Sequence, residues 1–322
     1  MQDGAEAPRR TKATGFGDRV ARSVADRGSQ LVLGLDPDPA RLWPQAIERV
    51  GGTEDPPAPP AVLAARAVAA HCSLAIEAAG EHCVAVKLQV ACFERLGAPG
   101  WDALAEVVER AREQGLLVIA DAKRGDIDVS AAAYGEAFLA EAATPYGSVR
   151  GLGADALTVN PLLGADSLRP LAALARERSC GLFVLVRTSN PGARDVQELG
   201  LAQGGSVSER LADLVGELGA DGVGAAGLSD VGAVVGATAP QRLGALRARM
   251  PQAIFLVPGV GAQGGRIEDL GAVFSPGPAG ALISVSRGIV QAYERLGGDP
   301  RAAAAQEAQR LRDRVWELAS AR

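Results

Sequence analysis

Short apolar runs recur along the chain, and the apolar positions between them fall at helical spacing. The runs lie at 31–35, 83–88, 116–120, 154–159, 181–186, 221–226, 253–257 and 280–285. Each is a compact β-branched or aliphatic stretch, as expected of strands buried on both faces. Successive runs start about 36 residues apart, room for one strand, one helix and two loops. The segments between them read as helices at 62–79, 101–113, 129–142, 166–178, 207–218 and 240–249, and a further helix at 302–318 closes the chain. In the second of these, Leu104, Val107 and Val108 share one face. Strand–helix alternation implies parallel strands joined by right-handed crossovers. Eight such units close most simply into an α/β fold of the (β/α)8 TIM-barrel type, with an open doubly wound sheet as the alternative. The expected organisation is one barrel domain over 1–322, with a polar N-terminal arm at about 1–14 and a C-terminal helix at about 300–320. The stretch 51–60 (GGTEDPPAPP) is too rich in Gly and Pro for helix or central strand, and it lengthens the first strand-to-helix connection.

Composition narrows the chemistry. The 322 residues are 48% hydrophobic and 22% charged, enough for a large core. Glycine, at 40 residues, is about 12% of the chain against a usual ~7%, which calls for a local explanation. No uninterrupted apolar run reaches the ~18 residues of a membrane span, and 1–18 has no apolar signal stretch, so a cytoplasmic protein is expected. A net charge of −5 and 4% aromatic residues give neither a basic field nor stacking platforms for nucleic acid. Cys72, Cys83, Cys92 and Cys180 form no Cys-x-x-Cys pair and read as reduced thiols; His71 and His82 lack a neighbouring second ligand, so metal binding through histidine is not expected. Carboxylates, Lys, Arg, amides and hydroxyls are left to carry function.

In a parallel barrel the functional rim is the C-terminal end of the strands. Seven of the eight runs end in polar residues: Asp36; Lys87 and Gln89; Asp121, Lys123 and Asp126; Thr158 and Asn160; Arg187, Thr188 and Ser189; the Pro-Gly-Val-Gly-Ala-Gln-Gly-Gly segment 258–265; and Ser284, Ser286 and Arg287. The sixth run ends in Ala225, Ala226 and Gly227. Asp121 and Lys123 are two apart, so in a strand they point the same way. With Lys87 and Asp126 they form an expected network of alternating charge, whose protonation states would be coupled. After the seventh and eighth runs, Gly259, Gly261, Gly264 and Gly265 let backbone approach an anion, and Arg287 offers a bidentate donor set; a phosphate site is expected there. The Gly- and polar-rich segment 188–205 is the candidate lid.

Asp121-Ala-Lys123-Arg-Gly-Asp126 resembles the Asp-x-Lys-x-x-Asp signature of the orotidine 5′-monophosphate decarboxylase family. The resemblance extends through Leu33-Gly-Leu-Asp36-Pro, Val86-Lys87-Leu-Gln89, Thr158-Val-Asn160-Pro, Arg187-Thr-Ser189-Asn190-Pro, the 258–265 segment and Ser286-Arg287-Gly, in order, from about residue 15 to 296. The Asn-Pro and Arg-Thr-Ser-Asn-Pro segments look like the longer bacterial, type 2 branch. The resemblance implies conversion of orotidine 5′-monophosphate to UMP and carbon dioxide without metal or organic cofactor, on a homodimer with shared active sites. It implies that Lys123 protonates C6 and stabilises the carbanion, that Asp121 lies beside the departing carboxylate, and that Lys87 links Asp36 to Asp121. Asp126 would come from the other subunit. Asp36 and Ser130 would contact ribose, Ser189 the pyrimidine, and Gln263, Ser286 and Arg287 the phosphate, with Asn160 a branch-specific contact. Two alternatives are a metal-dependent sugar-phosphate decarboxylase or aldolase on the same barrel, and a barrel that binds phosphate without catalysis. The first needs an acidic residue where this chain has Lys87; the second would have been favoured by loss of Lys123 or one of the Asp residues.

Overall fold

A computed structural model describes residues 14–51 and 58–321. Eight parallel strands close into a barrel: β1 (Leu31–Leu35), β2 (Ala85–Gln89), β3 (Leu117–Arg124), β6 (Ala156–Val159), β7 (Gly181–Arg187), β8 (Val231–Val235), β9 (Phe255–Pro258) and β10 (Ala281–Val285). The strand order is β1-β10-β9-β8-β7-β6-β3-β2, so β1 pairs with both β2 and β10 and the sheet has no edge. Two strands outside the barrel, β4 (Glu141–Thr144) and β5 (Gly147–Arg150), form an antiparallel hairpin on the connection into β6. Helices at Pro60–Ala79, Ala98–Glu113, Asp128–Leu139, Ala165–Glu177, Val207–Gly219, Pro240–Arg249 and Pro300–Ser320 surround the barrel.

Alternation along the strands sorts the side chains into two cores. Outward residues such as Leu31, Leu33, Val86, Val118 and Leu157 pack under the helices. Inward residues, including Val32, Ala85, Ile119, Ala156, Phe183 and Leu282, fill the barrel. The inward positions change character along each strand: Val32-Gly34-Asp36, Ala85-Lys87-Gln89 and Ile119-Asp121 run from apolar to charged or polar. One end of the barrel is therefore a packed core and the other a polar basin.

The packed end is closed by a helix, Phe16–Arg27, which the run pattern leaves unassigned. Its Phe16, Val20 and Val24 are spaced by four and join the barrel interior, with Phe16 edge-on to Phe183 at 6.0 Å. Arg27 at its end donates to the carbonyls of Gly80, Cys83, Gln114 and Gly115.

Four other expectations need correction. The sixth strand is Val231–Val235, not 221–226; a 3-10 turn occupies Ala220–Gly222 and a Val223–Ser229 bridge closes the loop after it. Both segments are apolar and of strand length. Gly222, however, packs so closely on the Asp230 carboxylate that a Cβ would overlap it, while Val231, Val234 and Val235 supply the β-branched surface the ladder favours. The true sixth rim is thus Gly236-Ala237-Thr238. The helix expected at 129–142 stops at Leu139, where the unexpected hairpin takes over. Pro60, placed in the irregular stretch, occupies the first turn of Pro60–Ala79, where its missing N–H costs nothing. Residues 52–57 of that stretch, and the arm expected at 1–14 apart from Thr14, lie outside the described residues. Finally, Pro60–His82 is long and apolar enough by composition to cross a membrane, despite its interruptions by Arg66, His71 and Glu77. About half of it is buried inside the protein, where Val68, Cys72 and Ile76 pack on the barrel.

Candidate active site

The polar basin is organised around one carboxylate. Asp121, on the inward face of β3, is almost fully buried. Its Oδ2 accepts from Lys87 Nζ at 2.7 Å, and its Oδ1 accepts from Lys123 Nζ at 2.6 Å and from the Thr158 hydroxyl at 2.9 Å. Lys87 Nζ also lies 3.6 Å from Asp36 Oδ1, giving a continuous chain Asp36–Lys87–Asp121–Lys123. Strand register builds this chain: Lys87 pairs with Gly34 on β1, and Gln89 pairs with Asp121 on β3. The Asp121–Lys123 pair is not the product of a regular strand. The β3–β6 ladder shifts register between Ala120 and Arg124, and Lys123 has φ +51°. The two side chains meet through this irregularity, a left-handed conformation uncommon for residues with a side chain and frequent at functional sites.

Burial raises the pKa of Asp121, but the charges of Lys87 and Lys123 outweigh it and hold the carboxylate well below its usual range. Burial lowers that of Lys87, and the charges of Asp121 and Asp36 reverse the effect and keep the ammonium protonated far into the alkaline range. The two lysines differ in reach. The Lys87 side chain is 8% exposed, whereas that of Lys123 is 43% exposed and faces the open basin.

That basin is a cavity of about 470 Å³. It is lined by the apolar Leu185, Val234 and Leu256, by Asp36, Lys87, Asp121 and Lys123, and by Ser189, Gln263, Ser286 and Arg287. Gly259, at φ +98°, lets Ser189 and Gln263 converge, since a Cβ there would lie 2.9 Å from Ser189 Cβ and 3.0 Å from Gln263 Oε1. Arg287, which follows β10 directly, extends an exposed guanidinium with no protein partner among the described residues. The charged network and the residues of the expected phosphate rim therefore line one cavity.

The segment after β7 is tied down at its base. Buried Arg187 donates to Glu198 at 2.8 Å, to Thr238 Oγ1 at 3.0 Å and to the Thr188 carbonyl at 2.6 Å. The side-chain oxygen of Gln197 accepts from the Thr188 N–H at 2.8 Å. Thr188, Asn190 and Gln197 line the cavity beside Ser189.

Three expected site residues are not brought in. Asp126 Oδ1 accepts from the adjacent Ile127 N–H at 2.8 Å and contacts neither lysine of its own chain; Asp36 takes the fourth place in the charged chain instead. Ser130 is exposed in the first turn of Asp128–Leu139. Asn160 is also exposed and accepts from the Leu162 N–H at 3.0 Å. Conversely, Thr158 and Gln197 carry no role in the sequence reading, although Thr158 stands among its polar strand ends. Gln197 lies within the candidate lid segment 188–205 but is not singled out there, and it reaches the cavity as its loop folds back onto Thr188. Among the described residues no cluster of three or more His, Cys, Asp or Glu is placed to hold a metal ion.

The family model for the orotidine 5′-phosphate decarboxylase / HUMPS family matches residues 29–306. A protein named orotidine 5′-phosphate decarboxylase from Rhodopirellula baltica is 40% identical over 283 residues, covering 87% of this chain and 89% of that one. One of the same name from Deinococcus radiodurans is 40% identical over 281 residues, covering 85% and 88%. Among solved structures, a putative orotidine 5′-phosphate decarboxylase from Streptomyces avermitilis superposes with a TM-score of 0.74 at 34% identity, over 98% of this chain and 100% of the other.

Proposed function

This chain belongs to the orotidine 5′-phosphate decarboxylase / HUMPS family, and from that premise we propose how its own residues perform the reaction. The enzyme is a carboxy-lyase that converts orotidine 5′-phosphate to UMP and carbon dioxide, a step of pyrimidine biosynthesis. Its chemical difficulty is a carbanion at C6 with little resonance delocalisation, which calls for fixed charge aimed at that carbon. The observation that carries the assignment is the asymmetry of the two lysines. Lys87 is buried behind Asp121, whereas Lys123 is held by the same carboxylate and opens onto the cavity.

In the proposed mechanism the C6–carboxylate bond breaks, its electron pair stays on C6 and carbon dioxide leaves. Lys123 then gives C6 its proton and is reprotonated from solvent. Asp121, kept ionised by two ammonium groups, fixes Lys123 and faces the departing carboxylate. Lys87 neutralises the buried charge and ties it to Asp36, which lies at the cavity edge for the ribose hydroxyls. Ser189 meets the pyrimidine, while Gln263, Ser286 and Arg287, which line the same cavity, grip the phosphate. A metal-dependent sugar-phosphate enzyme is not favoured, because Lys87 stands where such an enzyme needs an acidic ligand.

The proposal includes a cytoplasmic homodimer. Asp126 lies outside its own chain's Lys–Asp series, and Ile127, Val129, Leu162 and Leu163 beside it and Asn160 are large apolar residues left exposed. A second copy packed on this face would bury them and bring its Asp126 and Ser130 to the site.

Pyrimidine absorbance tests the central claim. Purified protein is expected to turn over orotidine 5′-phosphate at the same rate with and without a chelator. Absence of turnover refutes the assignment, and loss of turnover only with chelator refutes the metal-free mechanism.

A further inference from the structure

Thr158 occupies an inward position on β6 and has no exposed surface. Its hydroxyl makes two bonds at once: it donates to Asp121 Oδ1 at 2.9 Å and accepts from the Lys123 backbone N–H at 2.9 Å. One hydroxyl has one proton to give and two lone pairs to receive with, so both bonds are compatible. They join the carboxylate that holds the Lys123 ammonium to the backbone that carries the same lysine.

The second bond falls where β3 needs it. Between Ala120 and Arg124 the β3–β6 register is interrupted, and Lys123 adopts φ +51°. That region is sterically unfavourable for a residue with a side chain and persists only when its surroundings fix it. The Thr158 hydroxyl supplies an acceptor for the Lys123 N–H within that break, and Arg124 O resumes the backbone bonding by accepting from the Asn160 N–H at 2.7 Å.

We propose that Thr158 is a positioning residue for the proton donor: it locks Lys123 in the left-handed conformation and sets the rotamer of Asp121, so that the ammonium is aimed before substrate arrives. The inference rests on the assignment of Lys123 as proton donor. Thr158 has no exposed surface and is not among the residues that line the cavity, so on this proposal its contribution is to the rate of the bound complex and not to binding.

The test compares wild type with Thr158→Val, which keeps the shape and deletes the hydroxyl, and with Thr158→Ser, which restores it. Thr158→Ala deletes the hydroxyl with less bulk if the valine variant does not fold. The expected result is a fall in kcat of about 10- to 100-fold for valine with KM changed less than about threefold, and substantial recovery with serine. Equal loss in valine and serine variants, or an unchanged kcat in valine, overturns the proposal. A second measurement does not depend on turnover. Hydrogen exchange at the Lys123 amide is expected to be slow in wild type and the serine variant and at least about tenfold faster in the valine variant. Equal protection in all three overturns the lock even if wild type decarboxylates, whereas loss of protection in an inactive wild type would sustain the lock and reject the assigned reaction.

Discussion

At the scale of single residues, the proposed mechanism divides the site into groups that act on the reacting carbon and groups that hold the far end of the substrate. Lys123 and Arg287 both line the cavity, are proposed to meet different parts of the substrate, and should separate kinetically. Lys123→Ala removes both the proton donor and the charge that faces the carbanion. A loss in kcat of about 10³-fold or more is expected, with UMP affinity, read by calorimetry, held within a few-fold. Arg287→Ala removes a charge-assisted contact, and its loss of about 10- to 100-fold in kcat/KM is expected mainly in KM. The opposite split, with Lys123→Ala acting through KM, would reverse the assigned roles. The burial of Asp121 between two ammonium groups also explains why both lysines belong to the site although only one faces the cavity. Without Lys87, a nearly buried carboxylate would be left with Lys123 as its only charged partner.

At the scale of elements, the structure depends on polar groups that tie helices and loops to the barrel. His71 is an example on Pro60–Ala79, where its Nδ1 accepts from the Trp43 N–H at 3.1 Å and its ring meets the Trp43 indole edge-on. Burial lowers its pKa from 6.5 to about 4, so the folded protein holds it neutral. Between those values the unfolded chain binds a proton that the folded one refuses, and stability therefore falls as pH drops from 6.5 towards 4. The full effect is on the order of 3 kcal/mol. Urea denaturation across that window should show a shallower pH slope in His71→Asn, which keeps an acceptor for Trp43 but does not titrate. An identical slope would show that His71 is not held neutral. Element boundaries also mark where sequence patterning loses resolution. The apolar run at 221–226 and the strand at Val231–Val235 are nearly indistinguishable as strings, and the ladder with β7 decides between them. The helix at Phe16–Arg27 was legible in the spacing of Phe16, Val20 and Val24, but a strand–helix count that begins at the first strand has no place for it.

At the scale of the whole molecule, the proposed assembly includes a second copy of the chain. Asp126 and Ser130 lie outside the cavity of their own chain, and exposed Ile127, Val129, Leu162 and Leu163 gather on the same face. If a second copy covers that face, each active site combines Lys123 from one chain with Asp126 from the other. Mixing inactive Lys123→Ala and Asp126→Ala proteins under conditions of subunit exchange should then restore about a quarter of wild-type activity, because half of the dimers are hybrids and each hybrid has one intact site. No recovery in confirmed hybrids would place Asp126 in its own chain's site.

The sequence by itself determined the barrel and the gathering of polar residues, the Lys/Asp network among them, at the ends of seven of its eight strands. Those properties follow from local periodicity, since alternation fixes which residues face inward and strand ends fix which of them reach the rim. Much of the glycine excess has a role of this local kind, as at Gly259, where backbone and side chains converge. Tertiary structure decided what depends on register between distant segments. It chose Asp36 over Asp126 as the fourth charge within the chain, moved the sixth strand and brought Gln197 to the cavity. It also placed the Thr158 hydroxyl between Asp121 and Lys123. A hydrogen bond between residues on neighbouring strands is set to within a few tenths of an ångström by how those strands pair and where the pairing breaks, and no pattern within either strand encodes it.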